Sequence, residues 1–470
     1  MAIGSSNIIE GKVELGSADY AYKYSDGFFY GSAFQYSHGL AKQSLAMAIA
    51  SFNRTFDNEY YWGESNNLKQ FFKTCDFYDF LPNEDFNERP ESNSFGVGIA
   101  RKKILIDTTR YTILGIGLRG GRYTSEWSGN FNIGTSGNHQ GFEIAANKVF
   151  DHIKRYVERF GVSGNVILWA AGYSRAAAVT NLVGGRIDQY LSRGEQPFEG
   201  ITLEPYKCFF YTFEAPQGAS IENVKAQPFT NIFNIINKND IVTYSAPTAM
   251  GFARYGVDLH LPVKGSVNKE EYEKIAKDVH KRFDKISKKE LRKHIPNFMA
   301  ESLITSPKKK LLEPMSVSTF LEKFFFDISN FAGKREGSQE TFEAIQKALN
   351  LLVYPMENKI PNLERVFKKT IEMSINDFVE YIINEDIDDA IKDLRKNFIE
   401  SLYKEGVTAG KIEEAKQYVD KIFKFFTDFS KEYPEDFNIM RLNIVSVIAT
   451  HDSALTYAYL ESLPDNYFKI

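Results

Sequence analysis

The chain predicts an α/β fold, a mainly parallel sheet covered by helices on both faces, and three observations predict it. Between residues 97 and 262 short apolar runs alternate with helical segments, the pattern of successive strands and crossover helices. Those runs, "NVILWAAG" and "YKCFFYTF" among them, are apolar almost throughout, as strands buried on both faces must be. From about Lys264 to Pro434 the texture turns Lys/Glu-rich with apolar residues three and four apart, which marks a large all-helical insertion.

Taken in order, the elements give four divisions. Residues 1–96 are expected to form a mostly helical layer packed on the core: "YSHGLAKQSLAMAIASFNRT" carries Leu40, Leu45, Ala48 and Phe52 at helical spacing, and "NNLKQFFKTCDF" follows. Residues 97–262 supply the first part of the α/β core. Its strands are "FGVGIARKKIL", "RYTILGIGLRG", "NVILWAAG", "YKCFFYTFEAP" and "TNIFNIINKND", with "GFEIAANKVFDHIKRYVERF" and the alanine-rich run after Ser174 as helices. Residues 263–437 are the insertion, in which Ile412, Ala415, Val419, Ile422, Phe426 and Phe429 recur at helical spacing. Its charges read as solvated helix faces, "AGKREGSQE" as a loop, and "FLEKFFFDISNF" as helix–helix core, the whole placed to cap a site. Residues 438–470 return to the core and carry His451.

Composition narrows the function. The 470 residues carry a net charge of −4, which offers no basic stripe to a phosphate backbone, so nucleic acid is a poor partner. Cys75 and Cys208 are the two cysteines, too few for a disulfide framework or a zinc site, and Cys208 sits in an apolar run as a small buried hydrophobe. No stretch has the roughly 18 uncharged apolar residues of a membrane span. The chain as it stands is expected to be soluble and cytoplasmic, or secreted if a removed signal peptide preceded its small, polar opening.

Chemistry concentrates at the joint in "VILWAAGYSRAAAVTNL". A strand that ends in Gly172-Tyr173-Ser174 and restarts as a helix has the form of a nucleophile elbow, in which a strained turn lifts a serine hydroxyl out of the sheet. Gly172 and Ala176, two positions either side, are small enough for that turn, although a serine that merely caps a helix gives the same pattern. Downstream, an apolar strand ends in Asn239-Asp240, where open α/β sheets place their sites, or where a turn simply forms. Four histidines follow: His260, His280, His294 and His451. His280 and His294 lie in Lys-rich helices, His260 stands just behind the aspartate strand, and His451 stands where the α/β texture resumes, which makes it the best base. His139 reads as a brace for a helix start. Upstream, the strand ending in Arg119-Gly120-Gly121 can bring backbone close to a ligand.

These pieces together resemble the class 3 lipase family of α/β-hydrolases. "GLRGG" resembles the family's oxyanion motif and "NHQGFEIAANKV" its His-x-Gly-Phe helix start. "LWAAGYSRAAAVTNL" resembles the elbow, "YTFEAPQG" the next strand end, "IINKNDIVTYSAP" the aspartate segment and "HDSALTYAYL" the C-terminal histidine segment. Gly121 stands where the family usually has a hydroxyl residue, and Ala176 where it has glycine.

The resemblance implies an α/β-hydrolase fold and a serine carboxylic-ester hydrolase acting on small-molecule or lipid esters, with no metal or organic cofactor and with transient contact to a lipid interface. Ser174 would be nucleophile, His451 base and Asp240 its orienting carboxylate, with the backbone N–H groups of Gly121 and Arg175 as oxyanion hole. Trp127, in the lid position "RYTSEWSGNFNIG", and Tyr173 would contact substrate. Phospholipid deacylation or acyl transfer by the same triad, and a weakly catalytic binding protein using the insertion, are the alternative readings.

Overall fold

The computed structural model describes residues 8–15, 18–52, 66–87, 94–120, 134, 137–246, 248, 251–263, 266–286, 408–434 and 450–468, with scattered positions between 392 and 403. Gly121, Trp127, His294, "AGKREGSQE" and "FLEKFFFDISNF" lie outside the described residues.

The first 96 residues hold more strand than their helical reading expects. Strands β1 (Ile9–Leu15) and β2 (Ala18–Tyr24) form an antiparallel hairpin, and β3 (Tyr78–Pro82) joins the main sheet. The cause is a period of two that a helical reading passes over: Val13 and Leu15 on β1, and Tyr20, Tyr22 and Tyr24 on β2, all turn one way and are buried. The two helices expected there do form, α1 (His38–Ala50) and α2 (Asn66–Thr74). Ser37 starts α1 by accepting the Leu40 N–H on its hydroxyl at 3.3 Å.

The core strands follow as β4 (Val97–Ile106), β5 (Thr109–Leu118), β6 (Gly164–Tyr173), β7 (Ile201–Phe213), β8 (Ala219–Ser220), β9 (Ile232–Ile236), β10 (Phe252–Ala253) and β11 (Val257–His260). β8 and β10 pair with each other, and the other six join β3 in a seven-stranded main sheet of order β3-β4-β5-β6-β7-β9-β11. The β3–β4 and β4–β5 pairings are antiparallel, and every pairing from β5 to β11 is parallel. Helices α3 (Gln140–Phe160) and α4 (Arg175–Ser192) precede and follow β6. This mostly parallel sheet with helices on both faces fits the α/β-hydrolase arrangement.

β6 shows why both faces must be covered. Ile167, Trp169, Ala171 and Tyr173 point into one core with α1, while Val166, Leu168 and Ala170 point into the other with α3 and α4. The Trp169 indole N–H donates to Ser44 at 2.8 Å, giving the buried ring a polar partner and fixing α1 on the sheet. Within the predicted insertion, α5 (Lys269–Ile286) and α6 (Ala409–Glu432) are helices, the latter carrying the apolar repeat that begins at Ile412. A last helix, α7 (Ser453–Ser462), packs beside the N-terminal hairpin, where the Tyr457 hydroxyl donates to the Ala21 carbonyl at 2.8 Å. Among the described residues no helix is long and apolar enough to cross a membrane.

Candidate active site

The site is assembled at the C-terminal ends of β6, β7 and β9. Ser174, between β6 and α4, has φ 58° and ψ −129°, a conformation that costs an L-residue about 1–3 kcal/mol and persists only where the surroundings enforce it. Its N–H donates to the Phe213 carbonyl at 2.9 Å, and its own carbonyl accepts from Ala177 at 2.8 Å. Gly172 makes the turn feasible: a Cβ there would stand 2.4 Å from the Ala176 carbonyl oxygen. Gly120 presses on the same turn, since its Cβ would lie 2.7 Å from the Tyr173 carbonyl oxygen. The alternative of a helix-capping serine does not hold, because the Ser174 side chain makes no cap hydrogen bond.

That hydroxyl meets His451 instead, donating to Nε2 at 2.8 Å. His451 Nδ1–H in turn donates to Asp240 Oδ2 at 2.5 Å, and because a carboxylate oxygen only accepts, this bond leaves Nε2 as the acceptor. The Asp240 side chain is wholly buried, whereas 18% of the His451 side chain remains exposed. Asp240 is held by the Val242 N–H, which donates to Oδ1 at 2.9 Å, and by its own N–H donating to the Asn237 carbonyl at 3.0 Å. His451 is fixed from both sides: the Thr450 hydroxyl donates to the Asn239 carbonyl at 2.7 Å, and Asp452 caps α7 by accepting the Ala454 N–H at 2.8 Å. Of the other histidines, His139 braces the start of α3, stacked on Phe142 at 3.9 Å, as its sequence context implied. His260 closes β11, and His280 lies within α5.

Arg175 opens α4, where helix geometry directs backbone N–H groups outward to acceptors from elsewhere. Its guanidinium turns away, donating to the Ser94 carbonyl at 3.3 Å over the Phe95 ring. Arg119 likewise donates to the Phe86 carbonyl at 2.7 Å, so its side chain anchors the end of β5. Tyr173, expected to touch substrate, is buried beside the site: its ring lies 5.5 Å from that of His451, and its hydroxyl lies 3.4 Å from the Thr456 Oγ1.

A second layer went unread in the sequence. Arg254 donates to the carbonyls of Ala215 at 3.1 Å and Thr243 at 2.9 Å, and its fork grips Asp258, tying the ends of β7 and of the aspartate turn together. Glu214, just past β7, is fully buried. Burial, then the facing carboxyl of Asp240, pushes its proton affinity well above the ordinary carboxyl range. The one sequence signal was a glutamate closing an otherwise apolar strand in "YTFEAP".

Neither a protein-family model nor a curated protein matches this chain. Among solved structures it is similar to the lipase–propeptide complex of Rhizomucor miehei, at 17% identity over 49% of this chain and 74% of that one, with a TM-score of 0.31. It is similar also to the lipase of Rhizopus microsporus var. chinensis, at 16% identity over 56% and 84%, TM-score 0.30. A third is lipase II of Rhizopus niveus, at 15% identity over 48% and 80%, TM-score 0.31.

Proposed function

We propose that this protein is a serine hydrolase that cleaves carboxylic acyl esters through an acyl-enzyme. The observation that carries the reading is the unbroken relay from Ser174 Oγ to His451 Nε2 at 2.8 Å and from His451 Nδ1 to Asp240 Oδ2 at 2.5 Å. The positive φ of Ser174 and the wholly buried Asp240 support it, because strain at a turn and a desolvated carboxylate both need enforcement that an ordinary surface serine lacks.

In this mechanism Ser174 Oγ attacks the acyl carbonyl while His451 Nε2 takes the hydroxyl proton. Asp240 keeps Nδ1 protonated and stabilises the imidazolium that forms. The Arg175 N–H is assigned to the tetrahedral oxyanion, and so, on its sequence motif alone, is that of Gly121, each donor contributing about 3 kcal/mol. His451 returns the proton to the departing alcohol, leaving an acyl-Ser174 ester. Water then attacks the acyl carbonyl as His451 Nε2 takes its proton, and the second tetrahedral intermediate collapses, breaking the bond to Ser174 Oγ, which recovers that proton from His451 as the acid leaves. Trp127 is proposed to contact substrate on its place in the sequence alone.

The test is hydrolysis of short- and medium-chain p-nitrophenyl esters by the wild type and by Ser174→Ala. The wild type is expected to turn over and the variant to lose at least about 10³-fold in kcat. Equal rates in the two proteins contradict the reading.

A further inference from the structure

The triad leaves unexplained why a fully buried carboxylic acid stands immediately behind it. Glu214 occupies a left-handed backbone position, φ 49°, that glycine would adopt without strain, yet it carries a long ionisable side chain with no exposure. Its two oxygens reach two different segments. Oε2 accepts the Asn237 N–H at 2.8 Å, and the Asn237 carbonyl is the acceptor for the Asp240 N–H at 3.0 Å, so one side of the carboxyl sets the turn that presents Asp240. Oε1 accepts the Thr456 hydroxyl at 2.9 Å, on the first turn of the helix that follows His451. Thr456 also meets the hydroxyl of Tyr173, whose ring faces His451, and Tyr173 directly precedes the nucleophile.

We propose that Glu214 is a positioning residue of the triad, its carboxyl bridging the Asp240 turn and the His451 helix so that the imidazole is held between its two partners. The inference rests on the serine-hydrolase reading above. The groups facing this carboxyl are Asp240, Tyr173, Tyr459 and Arg254. Burial, then the nearby Asp240 carboxyl, raises the proton affinity of Glu214 and so favours its neutral acid form. Glutamine keeps the shape, with one oxygen for the Asn237 N–H and an amide N–H₂ that the Thr456 hydroxyl can accept, while alanine removes both arms.

The experiment compares wild type, Glu214→Ala, Glu214→Gln and Thr456→Val, using p-nitrophenyl butyrate turnover and the rate at which a fluorophosphonate labels Ser174. Glu214→Ala is expected to lose roughly 10²-fold in kcat and in labelling rate with KM within about threefold, as a misplaced base does. Glu214→Gln should stay within about fivefold of wild type, and Thr456→Val, which cuts one arm only, should lose about fivefold to tenfold in kcat. A Glu214→Ala protein as fast as an active wild type overturns the inference. Should that variant not fold, wild-type kcat in Thr456→Val overturns it. An inert wild type overturns the hydrolase reading and this inference with it, whereas an active wild type with indifferent variants overturns this inference alone.

Discussion

Ser174 Oγ and His451 Nε2 stand 2.8 Å apart although 277 positions separate the two residues in sequence. Two local devices set that distance: a backbone forced to φ 58° at the elbow, and a histidine pinned between Thr450, tied to the Asn239 carbonyl, and Asp452, which caps α7. The geometry therefore depends on the carboxylate turn as much as on the serine.

Asp240→Asn tests that dependence. An amide that presents N–H to His451 Nδ1 favours the tautomer with its proton on Nε2, which cannot accept from Ser174. Steady-state hydrolysis should show kcat lower by about 10³–10⁴-fold with KM little changed. A loss below tenfold would remove Asp240 from the relay.

Gly172→Ala should destabilise the fold. The added Cβ would stand 2.4 Å from the Ala176 carbonyl oxygen and 2.7 Å from Thr180 Oγ1, and the first contact is with backbone that cannot rotate away. Urea denaturation should report a loss of about 3 kcal/mol. A change of a few tenths would mean that the elbow relaxes more freely than its packing implies.

Ala176→Gly addresses the methyl group that departs from the elbow's usual second glycine. Ala176 is fully buried in the first turn of α4, and Ser174 reaches His451 with that methyl in place. The substitution should cost about 1 kcal/mol of stability from helix propensity alone and leave kcat unimproved. A rise of several-fold in kcat would show that the methyl obstructs turnover.

Asp188 makes stability fall with pH. Burial on α4 raises its pKa from 3.8 to about 7, against the Asn231 and Gln227 side chains that pull it down. An unfolded chain releases this proton near 3.8 and the folded one near 7, so between those values the native state binds more protons and loses stability as pH rises. The contribution is fully present below pH 3.8 and is gone above about 7, a change of up to about 4 kcal/mol for a group this buried. Asp188→Asn, which keeps an acceptor for the Asn231 Nδ2 now at 3.0 Å, should flatten the curve of Tm against pH over that range. An unchanged slope would assign the pH dependence to other groups.

The sequence is legible where a side chain's pattern and its partner are the same fact. β6 and the second half of β7 are legible because strands buried on both faces are apolar residue after residue, whereas the first half of β7, from Ile201, alternates buried and exposed residues and is not; the serine is visible because a strand-to-helix joint tolerates only small neighbours such as Gly172. The hairpin of β1 and β2 was missed, since its alternating tyrosines are amphipathic residues that a helical reading also accepts. Glu214 and Thr456 were missed for a different reason. Each is one polar residue in apolar surroundings, and what makes them matter is the partner each finds across the fold, 242 positions apart. No local spacing encodes that.

A serine hydrolase of this geometry requires Ser174 to be a nucleophile activated by His451. The most direct measurement is intact-mass and peptide-level mass spectrometry of the folded protein after reaction with a fluorophosphonate. One adduct per chain is expected, on the peptide containing Ser174, formed far more slowly in His451→Ala. A folded protein that stays unlabelled, or whose adduct lies elsewhere, contradicts that role of Ser174.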